Sequence, residues 1–577
     1  MLLLLALAAL LAVTLIGWGL LGAAALERAA GIGLSGSMAL GEHGLLGLAC
    51  LAAAGLALHW LVALDAAIGL CVVAIGLGAV ILCRRRLWAA LGFGLSRAIS
   101  GGLSAALLVL IVGIVVRQDL PYDSGLYHLQ TILMTEDSRV VLGAANIHDR
   151  FGYNSAWLLL CAMLALPGAK LGAAEVLNGL AAFFVLSGMA QRIASGSRRA
   201  APLGACFAVG GILLIGFAKL LPHTAGGPGT DLPAALFTIY SVLLLLAAIE
   251  TPPERRLDAE ALGPVLLAFP IAALAVACKA SQAPVAAAVV LVALALLPRR
   301  AGLGRRVMLT GAASALLLGL AWIGHGLALS GCVLYPVSGS CLGIFPWVVP
   351  AEVADADRAW ITAFGRVPDA SHGRVPDDWR WLPAWWEVVR ADRFVVSLKI
   401  ALGLAGGFLT LRLAGRGRLR CAAEALDPAG LRAALGLMAV LVAGLCYWFL
   451  TAPALRFGYG FLISSPLLLI ALLAPVGGAG LAPRRIGRAV TIGAVALALY
   501  LAAATVAAVP EGMLLATDRP AIPLAEVAER RTAAGDLYYA PVADDRCWAS
   551  PRFCTPHASP GLTFGTVGLW RTATATP

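Results

Sequence analysis

The sequence contains few charged residues. Asp, Glu, Lys and Arg make up 13% of its 577 residues, and hydrophobic residues make up 60%. Soluble domains carry about 25% charged residues, so this composition excludes an ordinary soluble protein. Apolar runs of about 16 to 23 residues recur along the chain, and a helix of about 20 apolar residues crosses the hydrocarbon of a bilayer. The sequence therefore predicts an all-α polytopic membrane protein.

Other features that the sequence lacks argue against several classes of function. The 12 cysteines and 8 histidines form no cluster with the spacing of zinc ligands, so they predict no metal site. The basic residues are dispersed over many short loops, which excludes nucleic acid as a partner. Among ionisable residues, only Glu175 falls inside a predicted span, whereas a transporter would need charged side chains at mid-membrane.

About fourteen transmembrane helices are predicted, within a range of about 13 to 15. Residues 1–21 begin with no basic residue and show no cleavage site, so they are predicted as a span rather than a signal peptide. The predicted spans are 2–21, 44–64, 66–83, 100–116, 172–191, 201–219, 233–249, 262–277, 282–298, 307–329, 394–411, 433–451, 458–475 and 487–508.

The arginines predict the orientation, because short cytoplasmic loops retain basic residues. Basic and acidic loops alternate along the chain only if the apolar stretch 157–166 does not cross the membrane. This stretch of about ten residues is too short to span and is predicted as a re-entrant or interfacial helix. Segments 117–157, 220–232, 330–393 and 509–577 are then extracytoplasmic, and the protein is predicted in a bacterial inner membrane. The basic residues of the cytoplasmic loops are Arg84, Arg85, Arg86, Arg97, Arg192, Arg198, Arg199, Arg255, Arg256, Arg299, Arg300, Arg305, Arg306, those from Arg412 to Arg432, Arg484, Arg485 and Arg488.

Three regions are predicted from this pattern. Residues 1–99 form N-terminal transmembrane helices, residues 100–508 form a transmembrane module with two outer loops, 117–157 and 330–393, and residues 509–577 form an extracytoplasmic tail. The loop 330–393 is rich in tryptophan, which fits either an interfacial belt or a surface on which an acceptor stacks.

The loop 117–157 is the most polar segment in the chain, and ionisable side chains beside a bilayer favour a functional site. Asp123 lies close to the predicted membrane surface and is a candidate catalytic base, although Asp is also a preferred helix N-cap. Tyr127 and His128 follow one turn later and are candidates for binding a sugar or phosphate. Asp149 and Arg150, in the stretch NIHDRFGY, are further candidates for substrate binding.

Three more ionisable residues are predicted on the same side of the membrane. Asp231 ends the glycine-rich loop HTAGGPGTD, whose backbone could approach a ligand closely, and it is a second candidate for catalysis or for capping a helix. Lys279, in CKASQAP, is a candidate phosphate contact or a snorkelling side chain. Arg456, in APALRFGYG, cannot lose its charge and is the better candidate to hold a phosphate.

Two close cysteine pairs lie in predicted outer segments. Cys332 and Cys341 lie in CVLYPVSGSC, and Cys547 and Cys554 lie in CWASPRFC. In an oxidising compartment such pairs predict local disulfides.

Several of these motifs resemble those of known protein families. A first outer loop with an early Asp123, a second Asp231 in GTDLPAAL and Arg456 in PALRFGYGFL resemble the GT-C superfamily of polytopic glycosyltransferases. YDSGLYH, NIHDRFGYNSAW, KASQAP, APALRFG and CWxxPxxC also resemble a bacterial inner-membrane family, over most of residues 100–577. In one respect the sequence departs from GT-C: many members have two adjacent acidic residues in the first loop, and here Ser124 follows Asp123. Glu136, Asp149 or Asp231 could supply a second carboxylate.

The resemblance implies an inverting transfer of a sugar from a polyprenyl-phosphate donor to a glycan, lipid or protein acceptor of the cell envelope. Asp123 would be the base, Arg456 and Lys279 would stabilise the leaving phosphate, and Asp231 would orient the acceptor or a divalent cation. A polymerase or ligase of lipid-linked glycans, a transporter and a non-catalytic assembly subunit are the alternatives.

Overall fold

The computed structural model describes the whole chain except residues 35, 197–202, 218–220, 222–223, 298–301, 368–377, 415–419, 477–521, 551–552, 560 and 576–577. The described part is mostly helical, and its long apolar helices make the chain a multi-pass membrane protein. Its longer α-helices are Leu2–Ala30, Leu40–Leu58, Ala66–Leu82, Arg97–Val115, Gly172–Gly196, Leu203–Phe217, Asp231–Ile249, Ala259–Cys278, Ala283–Leu296, Gly302–Ser330, Ala351–Arg366, Arg393–Ala414, Pro428–Thr451 and Leu455–Leu473. The shorter ones are Arg84–Leu91, Leu129–Asp137, Ala156–Met163 and Leu382–Arg390.

Nine of the described helices are long and apolar enough to cross a membrane, fewer than the fourteen predicted. The predicted span 66–83 is one arm of a pair bent by 78°, because the helix breaks where the charged run Arg84–Arg86 begins. Two other predicted spans are shorter apolar helices, Leu203–Gly216 and Ala280–Leu296. The predicted span 394–411 is the helix Arg393–Ala414, and 487–508 lies outside the described residues.

The first helices pack into the same core as the rest of the bundle. Gly19 and Gly47 allow close backbone contact, since a Cβ on Gly19 would lie 1.7 Å from the carbonyl oxygen of His43. Arg192, used above as an orientation signal, is buried 2.7 Å from Glu42, which also accepts a hydrogen bond from Tyr240 at 2.9 Å. Three helices of the bundle are therefore joined by one buried polar cluster.

The polar segment that follows the helix Arg97–Val115 folds into short helical turns. Ser124–His128 is a π-helical turn, Leu129–Asp137 continues it as an α-helix, and Ala144–Asn146 and Asp149–Gly152 are 3₁₀ turns. The helix Ala156–Met163 is too short to span, at about 1.5 Å per residue, and all its residues are buried. Protein covers it, so it is not an interfacial helix with one face in lipid.

The tail adds two small β-hairpins to the helical bundle. Val527–Arg531 pairs with Leu537–Pro541, and Leu562–Val567 pairs with Trp570–Ala575, both antiparallel. The last strand docks on the polar segment through Leu142, whose N–H donates to Arg571 O at 2.9 Å and whose carbonyl accepts from Ala573 at 2.8 Å. The short pair of Arg420–Cys421 with Pro475–Val476 is separate from the tail.

Candidate functional site

Asp123 lies between two arginines. Its Oδ2 is 3.0 Å from Nη1 of Arg456, and its Oδ1 is 3.5 Å from Nη1 of Arg150. Asp123 stands directly before the π-helical turn but makes no side-chain capping hydrogen bond to it. The helix-capping interpretation of Asp123 therefore does not describe this structure, and its carboxylate belongs to an ion cluster.

Asp231 joins the same cluster from another helix. Its Oδ2 lies 3.6 Å from Nε of Arg456, and its Oδ1 forms an ion pair with Lys279. Arg456 thus bridges Asp123 and Asp231, while Lys279 and Arg150 flank the pair. Five residues from four separate segments of the chain meet here, with three cations around two carboxylates.

The helix ends explain why these residues meet. Asp231 is the first residue of Asp231–Ile249, Lys279 directly follows Ala259–Cys278, and Arg456 is the second residue of Leu455–Leu473. Charged side chains are costly within the apolar part of a span, so each stands at a boundary. Helix ends that pack side by side bring these boundary residues to one level.

Aromatic rings cover the cluster. The Lys279 ammonium lies 3.8 Å from the ring centroid of Phe457, and the Arg456 guanidinium carbon lies 5.2 Å from that of Phe364. The Arg150 guanidinium carbon lies 4.2 Å from the ring of Trp360. Because Phe364 and Trp360 share the helix Ala351–Arg366, this one helix places its aromatic side chains over two of the three cations.

His128 is buried beside the cluster, and neither of its ring nitrogens has a hydrogen-bond partner. Burial lowers the pKa of His128 to about 4, so the imidazole is neutral at pH 7. The ring packs edge-on against Tyr127, with the centroids 4.3 Å apart. A buried imidazole without a partner is uncommon, and it supplies a donor and an acceptor to any ligand that reaches it.

The cluster remains accessible although it is largely surrounded. The side chains of Asp123 and Arg456 keep 18% and 37% of their surface exposed. Burial alone would raise the pKa of Asp123, but Arg456, together with His128 and Arg150, outweighs it and holds the pKa below its usual value. Burial lowers the pKa of Lys279, and Asp231 opposes that shift. Asp123 is therefore an ionised carboxylate that its arginine partners hold.

The other candidates for a second carboxylate have different partners. Asp149 pairs with His148 Nδ1 at 2.6 Å and accepts from the backbone N–H of Arg150. Glu136 is buried and lies 3.9 Å from Lys170. Among the three candidates, Asp231 is the one that shares a cation with Asp123.

A divalent cation does not fit this arrangement. The two carboxylates that could bind it are already paired with Arg456, Lys279 and Arg150, whose charges would repel a metal ion. Within the described residues, no group of three or more His, Cys, Asp or Glu side chains could hold a metal.

The glycine-rich loop before Asp231 packs against protein. The N–H of Gly226 donates to Gln118 Oε1, and a Cβ on Gly227 would lie 3.0 Å from Pro121. Asn178 fixes the loop by donating to the carbonyls of Thr224 and Gly229. The prediction that the buried glycines Gly226 and Gly227 expose backbone to a ligand is therefore wrong, and they instead allow close packing.

Sequence reasoning also missed Asp357, one turn before Trp360. The Asp357 side chain is 3% exposed, accepts a hydrogen bond from Tyr153 at 2.8 Å, and has a second oxygen without a partner. Burial raises its pKa to about 7. The only sequence signal was an acidic residue on the apolar side of an amphipathic helix.

Both cysteine pairs form disulfides in the structure. Cys332 and Cys341 close a hairpin beside the helix Ala351–Arg366, with Ser338 donating to Asp355 of that helix at 2.8 Å. Cys547 and Cys554 close a loop of the tail that packs on the π-helical turn.

The fold and the site define a multi-pass membrane protein with a partly open ion cluster at the ends of its helices. The chain belongs to the family described as Domain of unknown function (DUF8201), whose model matches residues 1–463. All five residues of the cluster fall within that match. No curated protein and no solved structure matches the chain.

Proposed function

We propose that the chain is a membrane glycosyltransferase. It moves a sugar from a polyprenyl-phosphate donor to an acceptor of the cell envelope, and its resemblance to the GT-C superfamily supports this class. The observation that carries the proposal is the contact of Asp123, a partly exposed carboxylate, with Arg456 inside a cluster that has more cations than carboxylates. A base next to an anion-binding group is what this transfer requires.

The reaction assigns a role to Asp123 and to each of the three cations. An acceptor hydroxyl oxygen attacks the anomeric carbon of the donor, and its proton passes to the Asp123 carboxylate. The bond between the anomeric carbon and the phosphate oxygen breaks, and the phosphate leaves with its bonding electrons. Arg456, Lys279 and Arg150 stabilise the negative charge that develops on it. Attack opposite the leaving group inverts the anomeric configuration.

The resting contacts suggest how a donor prepares the base. Arg456 holds Asp123 as a carboxylate with a lowered pKa, which makes it a weak proton acceptor. A donor phosphate competes with Asp123 and Asp231 for the guanidinium, because arginine binds phosphate with the same fork of N–H donors. When Arg456 turns to the phosphate, Asp123 loses its nearest cation and becomes a stronger base.

His128 and Trp360 contribute the contacts that a sugar requires. The neutral His128 ring has a free donor and a free acceptor, which match the hydroxyl groups of a sugar. Trp360 presents an aromatic surface next to Arg150. The orientation is also part of the proposal: the dispersed basic loops are cytoplasmic, so the site opens to the outside of a bacterial inner membrane.

A transfer assay with a matched pair of variants tests the proposal. Membranes containing the full chain receive a panel of polyprenyl-phosphate sugars with a ¹⁴C label, and transfer of the label to other membrane components is measured. Asp123→Asn should lower the rate by about 10² to 10⁴. Asp119→Asn changes an exposed carboxylate in the same segment and should leave the rate unchanged. Full activity of Asp123→Asn would exclude Asp123 as the base, and a dispensable Asp123 favours the alternative of a non-catalytic assembly subunit.

A further inference from the structure

The Gln130 side chain connects the polar segment to the disulfide loop of the tail. It is 1% exposed, and its Nε2 donates to the carbonyls of Trp548 at 3.1 Å and Ser550 at 3.2 Å. Its Oε1 accepts from the backbone N–H of Cys554 at 3.1 Å. Both amide protons and the oxygen are therefore used, and all three partners lie within the loop that Cys547 and Cys554 close.

The indole of Trp548 lies directly on Gly125. A Cβ on Gly125 would be 2.7 Å from the Trp548 ring, closer than real Cβ contacts, so no larger residue fits without displacing the ring. The backbone N–H of Trp548 also donates to the carbonyl of Gly125 at 2.9 Å. The loop therefore contacts the turn through both a ring and a hydrogen bond.

The hydrogen-bond register of this turn is unusual. The N–H of Leu129 donates to the carbonyl of Ser124, five residues earlier, whereas an α-helix would direct it to Gly125, four residues earlier. The Gly125 carbonyl accepts from Trp548 of the tail. π-Helical turns are rare and need support from their surroundings. In this turn the support comes from the tail.

We infer that the disulfide loop of the tail is a positioning element of the candidate site, with Gln130 and Trp548 as its positioning residues. The loop holds the π-helical register of Ser124–His128, and this register places Tyr127 and His128 beside the ion cluster that starts at Asp123. The inference depends on the geometry of the candidate site and does not require that the site transfers a sugar. It also extends the site into a segment outside residues 1–463.

The inference makes the site depend on the oxidation state of the tail. The carbonyl of Trp548 and the N–H of Cys554 both face the one Gln130 amide while the disulfide closes the loop. A phosphine together with water, which end as the phosphine oxide, or two thiol groups, which end as a disulfide, supply two electrons and two protons. This gives two cysteine thiols and opens the loop. The open loop has more conformations, so Gln130 and Gly125 lose their partners for part of the time.

Hydrogen–deuterium exchange on the purified full chain tests the inference without any substrate. Reduction with a phosphine should speed exchange of the amides of residues 124–137 on the order of tenfold or more, because local opening becomes easier. The variant Cys547→Ser/Cys554→Ser should show the same increase without reductant, and reductant should then add nothing. The exposed tail substitution Val542→Ala is the control and should leave this segment unchanged.

A double-mutant cycle separates positioning from general destabilisation. Gly125→Ala alone should speed exchange of the segment, because the new methyl group displaces the indole. In a Trp548→Ala background the same change should have little further effect, since the methyl then meets no ring. Independent, additive effects would overturn the inference, as would exchange that is unchanged by reduction. If these variants lose label transfer but leave the exchange of residues 124–137 unchanged, the inference fails. The loss of transfer then concerns the proposed function alone.

Discussion

Arg456 reaches Asp123 at 3.0 Å while its Nε, 3.6 Å from Asp231, has no hydrogen-bond partner. One guanidinium therefore interacts with two carboxylates and keeps a donor that neither satisfies. The Nε atom itself is buried, but the Arg456 side chain as a whole stays 37% exposed, so this permanent cation is suited to a second anion.

Substitutions of Arg456 should distinguish what its charge contributes to phosphate binding from what the shape of its guanidinium contributes. Arg456→Ala should weaken binding of farnesyl phosphate by roughly 10- to 100-fold, the value of a hydrogen bond to a charged group. Arg456→Lys should recover part of that loss, because it keeps the charge but not the fork. Isothermal titration in detergent measures both. Arg390→Ala, which removes an exposed arginine paired with Glu387, is the control. Equal affinities for Arg456→Ala and the native protein would exclude Arg456 from the phosphate site.

The buried Asp357 should make stability depend on pH. Its folded pKa is raised to about 7, whereas an unfolded Asp ionises near pH 3.9. Between these values the folded state binds more protons than the unfolded state, so its stability falls as the pH rises. Each pKa unit corresponds to about 1.4 kcal/mol.

Asp357→Asn should remove this dependence. The amide oxygen can still accept from Tyr153, and the substituted side chain cannot ionise. The variant should match the native protein at pH 4 and have the higher thermal midpoint at pH 8. Asp355→Asn, on an exposed position of the same helix, should not raise the midpoint at pH 8 relative to pH 4 in this way. Parallel midpoint curves for Asp357→Asn and the native protein would contradict the assignment.

Removal of one partner of the buried Glu42–Arg192 ion pair should strongly destabilise the protein. Arg192→Met leaves the buried Glu42 carboxylate without its cation, and such changes destabilise by about 3 to 5 kcal/mol. Glu42→Gln/Arg192→Met should recover much of that stability, because no buried charge remains. Thermal midpoints in detergent measure both. Arg255→Ala, in an exposed pair with Asp258, should not change the midpoint. A double variant less stable than Arg192→Met would show that the pair is not coupled in this way.

Reporter fusions decide the orientation. Alkaline phosphatase is active only outside the cytoplasm, so a fusion after residue 577 should be active and one after Arg256 inactive. The expectation rests on the segregation of basic loops. The reverse pattern would place the ion cluster on the cytoplasmic side and remove the proposed donor and acceptor.

The sequence was informative wherever a residue stood out against an apolar background. Asp123, Asp231, Lys279 and Arg456 were found because ionisable residues next to spans are rare. Their pairing could not be predicted, since it depends on which helix ends pack together. The same difficulty affected Arg192, which the charge pattern marks as a loop residue and the structure buries.

Residues that act through long-range contacts left no local signal. Gln130 and Asn178 are ordinary amides in the sequence, and only the folded chain shows which carbonyls they bind. Gly226 and Gly227 were misinterpreted because glycine permits both ligand approach and tight packing, and the sequence does not distinguish them. Two predicted spans are shorter apolar helices among the described residues, because hydrophobicity alone cannot tell a short buried helix from one that crosses the membrane.

The docking of the tail on Leu142 and Gly125 has a consequence for biosynthesis. A ribosome completes residues 547–575 after every helix of the ion cluster has been made, so the bundle can insert before its positioning loop exists. During this interval the turn at Ser124–His128 lacks its contacts with the tail, and it gains them only after the disulfide forms. A nonsense mutation just before Cys547 should therefore yield a protein that inserts into the membrane but never forms the tail contacts of this turn.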